Sequence, residues 1–574
     1  MSTESRVGGA RRRLLLLLLV ALACLADALA AQDATALAHI LRARVQRVAE
    51  SGAVGVGGDR LFALDLLGRF YEARGFEPAW LGARATDLLA QLEAATRRAA
   101  AHGLEPAEYH IGSIDELRPK VESGTASAAE LVALELFASD AFMTLGSHLL
   151  RGRSDPAAVE AEWLSRRRAG ALDRVLAEAL ERADVEAALY ALAPADPRYG
   201  QLVEASARLR NVVERGGWPR VTPGPRLDLA ARGPRVAELR TRLLASGDLE
   251  GSMSGGGPSV AGDPAAGTLD ALAADRFDEQ LDEAVRRFQA RHGLEVDGIV
   301  GRATAAALNV PAEKRLRQVA INLDRWRWLP ADLGERHIEV NVPAFDLSVV
   351  EGGRTVRRHR VVVGIEDRQT PMLSGTMTQV VLSPSWTVPP TVAAEDLLPQ
   401  IRRDPGVLAA QRMTLMERSS GAVIDPMTLN WSLVTATELN SRYLLRQAPG
   451  PSNALGTVKF AFSNGHSVFL HDTPAQALFE RSVRDFSSGC IRVQNAIDLA
   501  VYVLADQPEW TRERIETVAS SGVERAVLLT RGIPVHLMYW TAWVGEDEVL
   551  HFRDDLYGRD ETVRRALLIP PSCW

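Results

Sequence analysis

Two short stretches near the C-terminus hold the residue types of a thiol nucleophile: His471-Asp472-Thr473-Pro474, and Ser487-Ser488-Gly489-Cys490-Ile491-Arg492-Val493. A thiolate attacks acyl carbons, an imidazole takes the thiol proton, and a glycine lets backbone come close to an acyl oxygen. The sequence has three cysteines, Cys24, Cys490 and Cys573. Cys24 falls in an N-terminal segment with the marks of an export signal, which leaves Cys490 and Cys573, and a bridge between those two would destroy the nucleophile. Paired cysteines outside the cytoplasm usually become disulfides. An exported chain with no disulfide framework and a cysteine behind Ser-Ser-Gly therefore favours catalysis over structure.

The other histidines carry no such context. His466 lies in the turn Asn464-Gly465-His466, and His536 and His551 sit in a C-terminal β-pattern with Trp540 and Trp543, as packed or surface residues. There is no His-Glu-x-x-His, no Cys-x-x-Cys, no P-loop and no dinucleotide fingerprint, so neither a metal nor a cofactor is expected.

The elements around the two motifs read as β. Ile338, Val340 and Val342 alternate, then Leu347 and Val349; Val361-Val362-Val363 and Val380-Val381-Leu382 follow, and Val458, Phe460 and Phe462 alternate again. Val468-Phe469-Leu470 leads directly into His471. Short strands with turns such as Glu351-Gly352-Gly353 predict a β-sandwich-like domain. Asn495 with Asp498 three residues on predicts a capped helix start, placing Cys490 on a loop just before a helix. Between the segments Val388-Pro389-Pro390 and Ala448-Pro449-Gly450-Pro451 lies an insertion of mixed helix and loop, including Ala393 to Arg403 and Trp431 to Tyr443. Such an insertion beside a site is either a lid or a packing excursion.

At 574 residues the chain is too long for one core. Hydrophobic content of 47%, charged content of 24% and a net charge of −7 describe globular protein and argue against a nucleic-acid binder. Arg11-Arg12-Arg13, the apolar run Leu14 to Leu25 and Ala28-Leu29-Ala30 read as a signal peptide over 1–31. Left uncleaved, the run would be an N-terminal anchor giving transient membrane association, although it is short for a span of about 20 residues. Ala21 stands where a lipidation motif ahead of Cys24 would carry a larger aliphatic, so lipidation is not expected. Residues 32–225 are rich in Ala, Leu, Arg and Glu at helical spacing. Leu64, Leu67 and Tyr71 mark one face, and Leu131, Leu134, Ala138, Phe142 and Leu145 another. Nothing there has a spacing for chemistry, so a helical scaffold is expected. A helical linker with Trp326 and Trp328 precedes the β region.

Residues 234–311 read as a three-helix module, with Val236, Leu239, Leu243 and Leu244, then Leu281, Val285 and Phe288, at helical spacing. It resembles the peptidoglycan-binding domain of cell-wall enzymes through Ala284-Val285-Arg286-Arg287-Phe288-Gln289, His292-Gly293-Leu294 and Asp297-Gly298-Ile299-Val300-Gly301. It departs from that pattern in the Gly-, Ser-, Pro- and Ala-rich stretch from Gly251 to Gly267, read as a flexible loop. The resemblance implies either wall binding or a brace for the catalytic domain.

Residues 336–560, with the insertion at about 391–447, resemble the L,D-transpeptidase catalytic domain. The matching residues are Ser385-Trp386-Thr387-Val388-Pro389-Pro390, Arg446 to Pro451, Asn453-Ala454-Leu455-Gly456, Lys459-Phe460, and the two motifs around His471 and Cys490. Many members carry Ser-His-Gly-Cys where Ser488 stands here, which leaves His471 as the one histidine in either motif. Together the parts form an α+β multidomain chain resembling the large periplasmic branch of that family.

The resemblance implies that Cys490 attacks the carbonyl of the third residue of a tetrapeptide stem, at the L-centre of a diamino acid, and expels D-Ala. His471 then acts as base, oriented by a backbone carbonyl near Asp472 or Thr473, and the N–H groups of Gly489 and Cys490 serve the oxyanion. Trp386, Asp472, Thr473 and Ser488 would border the substrate. Arg492 would either hold a substrate carboxylate or tie down the loop. Peptidoglycan stem peptides are the expected partners, a monomer in the periplasm the expected form, and 3–3 cross-linking the expected reaction. Hydrolysis at the same site and a non-catalytic wall-binding scaffold are the alternatives.

Overall fold

The computed structural model describes residues 35–47, 55–56, 59–159, 168–250, 275–571 and 573. The segment read as a signal peptide, Cys24 and the stretch from Gly251 to Gly267 lie outside the described residues.

Past two short paired strands, β1 (Gly55–Val56) and β2 (Asp59–Arg60), the N-terminal region is helical. Helices Leu64–Ala73, Ala85–Arg98, Ile111–Glu122 and Leu172–Arg182 pack around the long helix Ala128–Arg151. That helix starts on a capping box: the Ser127 hydroxyl accepts the Glu130 N–H, and the Glu130 carboxylate accepts the Ser127 N–H. It is buried all round from Val132 to Leu150, so it has no solvent face opposite the expected Leu134, Ala138, Phe142 and Leu145 stripe. Its buried polar groups are partnered. Glu135 accepts N–H bonds from Ala79 at 2.8 Å and Trp80 at 2.6 Å, and Asp140 accepts from Phe62 and Ala63.

The three-helix module consists of Pro234–Ala245, Glu279–Arg291 and Arg302–Leu308 around Val236, Leu239, Leu243, Leu281, Val285 and Phe288. The turn at Gly298 needs glycine. Its φ is +75°, and a Cβ there would stand 2.1 Å from Asp282 Oδ1. The module is docked on the chain's C-terminal strands: His292 stacks on Phe552, and Arg553 donates to the Arg291 carbonyl at 3.1 Å.

The linker with Trp326 and Trp328 is the helix Ala312–Trp328, buried among all these parts. Asp324 accepts the backbone N–H groups of Arg153 and Ser154, Arg327 donates to His102 O and Tyr199 Oη, Arg325 pairs with Asp560, and Asn322 bonds Thr541. One helix thus ties the scaffold to the β region.

The β region contains β3 (Arg336–Asn341), β4 (Asp346–Glu351), β5 (Arg354–Gly364), β6 (Leu373–Leu382), β7 (Trp386–Thr387), β8 (Met413–Glu417), β9 (Val423–Ile424), β10 (Tyr443–Gln447), β11 (Val458–Phe462), β12 (Leu470–His471), β13 (Asp485–Ser487), β14 (Ile491–Val493), β15 (Arg525–Met538), β16 (Ala542–Val544) and β17 (Leu550–Phe552). Nine of these form one sheet in the order β13-β5-β14-β12-β11-β6-β15-β3-β4. The long β5 pairs with β4 over its first half and with β14 over its second, so the sandwich-like sheet expected from alternation closes on itself. Helices Ala496–Val503 and Arg512–Ala519 complete its core.

The insertion carries helices where they are expected, at Leu398–Arg403 and Ala436–Arg442, and is also a small unit in its own right. It has its own four-stranded sheet, β7-β10-β8-β9, and its own core, including Val388, Leu397, Ile401, Leu415, Trp431 and Leu445. Two of its strands, Trp386–Thr387 and Val423–Ile424, span only two residues and leave no period in the sequence.

Candidate active site

Strand register brings the two motifs together. β12 and β14 run parallel, pairing Leu470 with Ile491 and His471 with Arg492, and β11 pairs Lys459 with His471. Leu470 and Ile491 point into the core, both at 0% exposure. By alternation, Phe469, His471, Cys490, Arg492 and Lys459 share the opposite face. Cys490 immediately precedes strand β14, not a helix. The helix starts at Ala496, and Asn495 ahead of it has φ +53° and makes no side-chain cap bond, because the chain turns there through the left-handed region.

The His471 ring donates from Nδ1 to the Asp472 carbonyl at 2.5 Å. A carbonyl only accepts, so the proton is on Nδ1 and the lone pair on Nε2. Burial pushes the imidazole down to about 3, with Arg492 and Lys459 adding to the shift against the Asp472 hydrogen bond. Burial also pushes the Cys490 thiol up, opposed by the Phe469 N–H and by the Lys459 and Arg492 charges. The resting pair is therefore a thiol and a neutral imidazole. Lys459 lies with Nζ 3.7 Å from the Phe469 ring centre, and desolvation lowers its affinity for the proton. Arg492 is half-buried, and among the described residues no carboxylate lies within 4 Å of it. The site thus holds two cations whose charge reaches the thiol, Lys459 being drawn to Glu524 as well as to a potential thiolate.

The loop before Cys490 is held from several sides. Gly489 has φ +103°, which a side chain would strain. Its N–H donates to Ser487 Oγ at 3.1 Å, and Ser487 Oγ donates to the Cys490 carbonyl at 2.6 Å. The Gly489 N–H, expected to serve an oxyanion, is thus engaged within the loop, and the Cys490 N–H has no acceptor among the described residues. Thr370 Oγ1 accepts the Gly364 N–H and donates to the Gly489 carbonyl, both at 2.9 Å. Tyr557 donates to the Gly364 carbonyl at 2.6 Å and accepts the Thr370 N–H. Sequence reading passed over Thr370 and Tyr557 because neither lies in a motif, and Lys459 was given no role.

The other residues expected to border a substrate sit in differing surroundings. Asp472 clamps the preceding loop, its Oδ2 accepting both the N–H and the hydroxyl of Thr457 at 2.8 Å. Thr473 is 3% exposed and turns its hydroxyl to the Ala475 N–H. Both support the site from behind, since their polar atoms are already bonded. Ser488 is exposed beside Cys490. Trp386 pairs with Gln447 at the neck of the insertion and is half-buried against its core. Cys573 is a free thiol facing the Met143 carbonyl in the helical region, and Cys490 is likewise free.

Residues 65–205 match a scaffold domain, residues 232–308 a "Putative peptidoglycan binding domain" and residues 335–518 an L,D-transpeptidase catalytic domain. A "Putative L,D-transpeptidase" of Haemophilus influenzae is 33% identical over 250 residues, 44% of this chain and 49% of the relative. The chain therefore spans about half the length of that relative. The N-acetylmuramoyl-L-alanine amidase CwlM of Mycobacterium tuberculosis is 42% identical over 90 residues, 16% of this chain and 20% of the relative. The crystal structure of an L,D-transpeptidase from Xylanimonas cellulosilytica is 16% identical, with a TM-score of 0.17, covering 55% of this chain and 99% of that one; a likeness at that score carries no argument. Matches to a scaffold domain, a peptidoglycan-binding domain and an L,D-transpeptidase catalytic domain thus follow one another along the chain, and the face bearing Cys490, His471, Lys459 and Arg492 lies within the last match.

Proposed function

We propose that the chain is a peptidoglycan L,D-transpeptidase that forms 3–3 cross-links through a thioester on Cys490. The observation that carries this reading is the β12–β14 register, which sets the thiol and the Nε2 lone pair on one face beside two cations. As Cys490 Sγ bonds to the carbonyl carbon at the L-centre of a tetrapeptide stem, its proton passes to His471 Nε2. The oxyanion forms toward the Cys490 N–H, a donor whose loss typically costs about 3 kcal/mol. The C–N bond to D-Ala breaks, and the imidazolium proton goes to the departing amine. An acceptor amine on a second stem then attacks the thioester and gives its proton to Nε2; the C–S bond breaks, and the imidazolium returns that proton to the Cys490 sulfur.

The positive charges of Lys459 and Arg492 favour each state in which sulfur or oxygen carries negative charge. Arg492, lacking an acid partner, suits a stem carboxylate. The insertion, linked to the cysteine side of the site by the Arg368–Asp396 pair at 2.7 Å, acts as the lid that keeps water from the thioester. Such a substrate places the protein at the cell wall, outside the cytoplasm.

Purified protein incubated with disaccharide-tetrapeptides tests this by product mass. Cross-linked dimers are expected. Tripeptides alone would make it a hydrolase, and unchanged substrate would make it a wall-binding scaffold.

A further inference from the structure

A cleft of about 600 Å³ lies away from Cys490, where the three-helix module, the linker helix and the C-terminal segment meet. Its module side is apolar and small, formed by Ala303, Ala306, Ala307 and Val310. Its other walls carry charge, and the charges do not cancel. Asp560 is held by Arg325 and Thr541, Glu561 by Arg564 and Arg565, and Asp555 by the Tyr539 hydroxyl and the Asp560 N–H. The exposed Asp554, with Asp555, whose donors are neutral, forms the remaining acidic side. Against it stand Lys314, Arg315, Arg317 and Arg553, none of which has a carboxylate oxygen within 4 Å among the described residues.

Arg315 is the informative one. It is 6% exposed, lies over the Phe552 ring at 4.6 Å and donates to Gln318 Oε1 at 2.8 Å. Burial pushes its guanidinium down to about 10, the distant Asp554 only partly opposing. A guanidinium taken out of water without an acid partner is costly, and an anion supplied from outside would repay it. Lys314 and Arg317 flank it as exposed cations on the rim.

We infer that this cleft binds a carboxylate on a neutral, partly apolar body, the carboxylate meeting Arg315 while the body lies on the alanine wall of the module. The identification of that ligand as a cell-wall fragment rests on the proposed function. Two parts of the wall offer the chemistry: the lactyl carboxylate of N-acetylmuramic acid, and a free carboxylate of a stem peptide. Either would bridge the module, the linker helix and the C-terminal segment at once, because Arg315 belongs to that helix and Phe552 and Arg553 to that segment.

The test is calorimetric titration of the full chain carrying Cys490→Ala, which silences the chemistry, with N-acetylmuramic acid, a stem tetrapeptide and N-acetylglucosamine. At least one of the two acids is expected to bind saturably, which identifies the source, and the carboxylate-free sugar is not. Arg315→Gln should weaken the bound acid about tenfold or more, as befits a hydrogen bond to a charged group. The exposed double variant Lys314→Gln/Arg317→Gln, which leaves the buried contacts alone, should weaken it a few-fold and flatten its dependence on salt. Binding of neither acid, or binding indifferent to both variants, overturns the inference. Turnover plays no part in these titrations. A chain that binds the acid yet forms no cross-link would defeat the proposed reaction and leave this site standing.

Discussion

Replacing Thr370 by valine keeps the shape of the side chain and removes one hydroxyl. That hydroxyl is 0% exposed and does two things at once: it accepts the Gly364 N–H and donates to the Gly489 carbonyl, each at 2.9 Å. Valine would leave both backbone groups buried without a partner. Each such group costs about 1–3 kcal/mol, so the variant should lose about 2–6 kcal/mol locally. The effect on catalysis comes through geometry, because Gly489 precedes the nucleophile and a displacement of about 1 Å can cost about a hundredfold in rate. The expected kcat for cross-linking falls by about ten- to a hundredfold. Hydrogen exchange should show lost protection at the Gly364 amide and in the peptide spanning Ser487 to Ile491. Thr370→Ser, which keeps the hydroxyl, should stay within a few-fold of the parent. A valine variant with unchanged kcat and unchanged exchange would refute the idea that this hydroxyl holds the cysteine loop.

Cys490→Ser should form no acyl-enzyme detectable by mass, since a hydroxyl is a far weaker nucleophile than a thiolate, whereas Cys573→Ser, whose thiol lies in the helical region, should keep its activity. His471→Ala should slow acylation by about a hundredfold or more and His466→Ala should change it little, equal losses in the two being the outcome that unseats His471 as base. Because His471 is held down to about 3 and the thiol is raised, the imidazole stays neutral as pH falls through 6.5; kcat/KM should show no histidine limb between about pH 5 and 7, and alkylation of Cys490 should still be climbing at pH 9. A limb near pH 6.5 would contradict this assignment. Asp396→Ala removes the partner of Arg368 and should cost less than about 1 kcal/mol, yet it should lower the ratio of cross-linked dimer to hydrolysed tripeptide; an unchanged ratio argues against the lid.

Much of the fold was legible in short-range pattern: Val458 to Phe462 keeps the period-2 alternation of a half-buried strand, whereas Val361 to Val363 and Val380 to Leu382 are apolar runs buried on both faces, and all three became strands of the large sheet. Its closure was not legible, since it depends on β5 bending to serve two partners, and no local pattern records which half of a strand meets which neighbour. The insertion's sheet was hidden for a related reason: β7 and β9 span two residues each, too short for any period to register. At the site, motif spacing singled out the cysteine and the histidine. Their supports come from far away in the chain, Tyr557 being separated from Gly364 by 193 positions, and a single sequence gives such pairs no mark. Gly489 shows a subtler limit. Its glycine type follows from φ +103°, but whether its N–H is open depended on a serine hydroxyl two residues earlier.

The helix Ala312–Trp328 changes what a domain boundary means in this protein. Its Asp324, Arg325 and Arg327 are at most 1% exposed, and each is neutralised or hydrogen-bonded by a residue from a different part of the chain. A cut on either side of it would strand a buried charge, which costs several kcal/mol for each ion left unpaired. A fragment beginning at the first strand of the β region would lose the helix that carries Trp328 into its core, and a fragment ending before residue 312 would leave Tyr199 and His102 facing water. The regions therefore behave less like beads on a string than like voussoirs around a keystone. Heat or denaturant should release them together, in one transition rather than several.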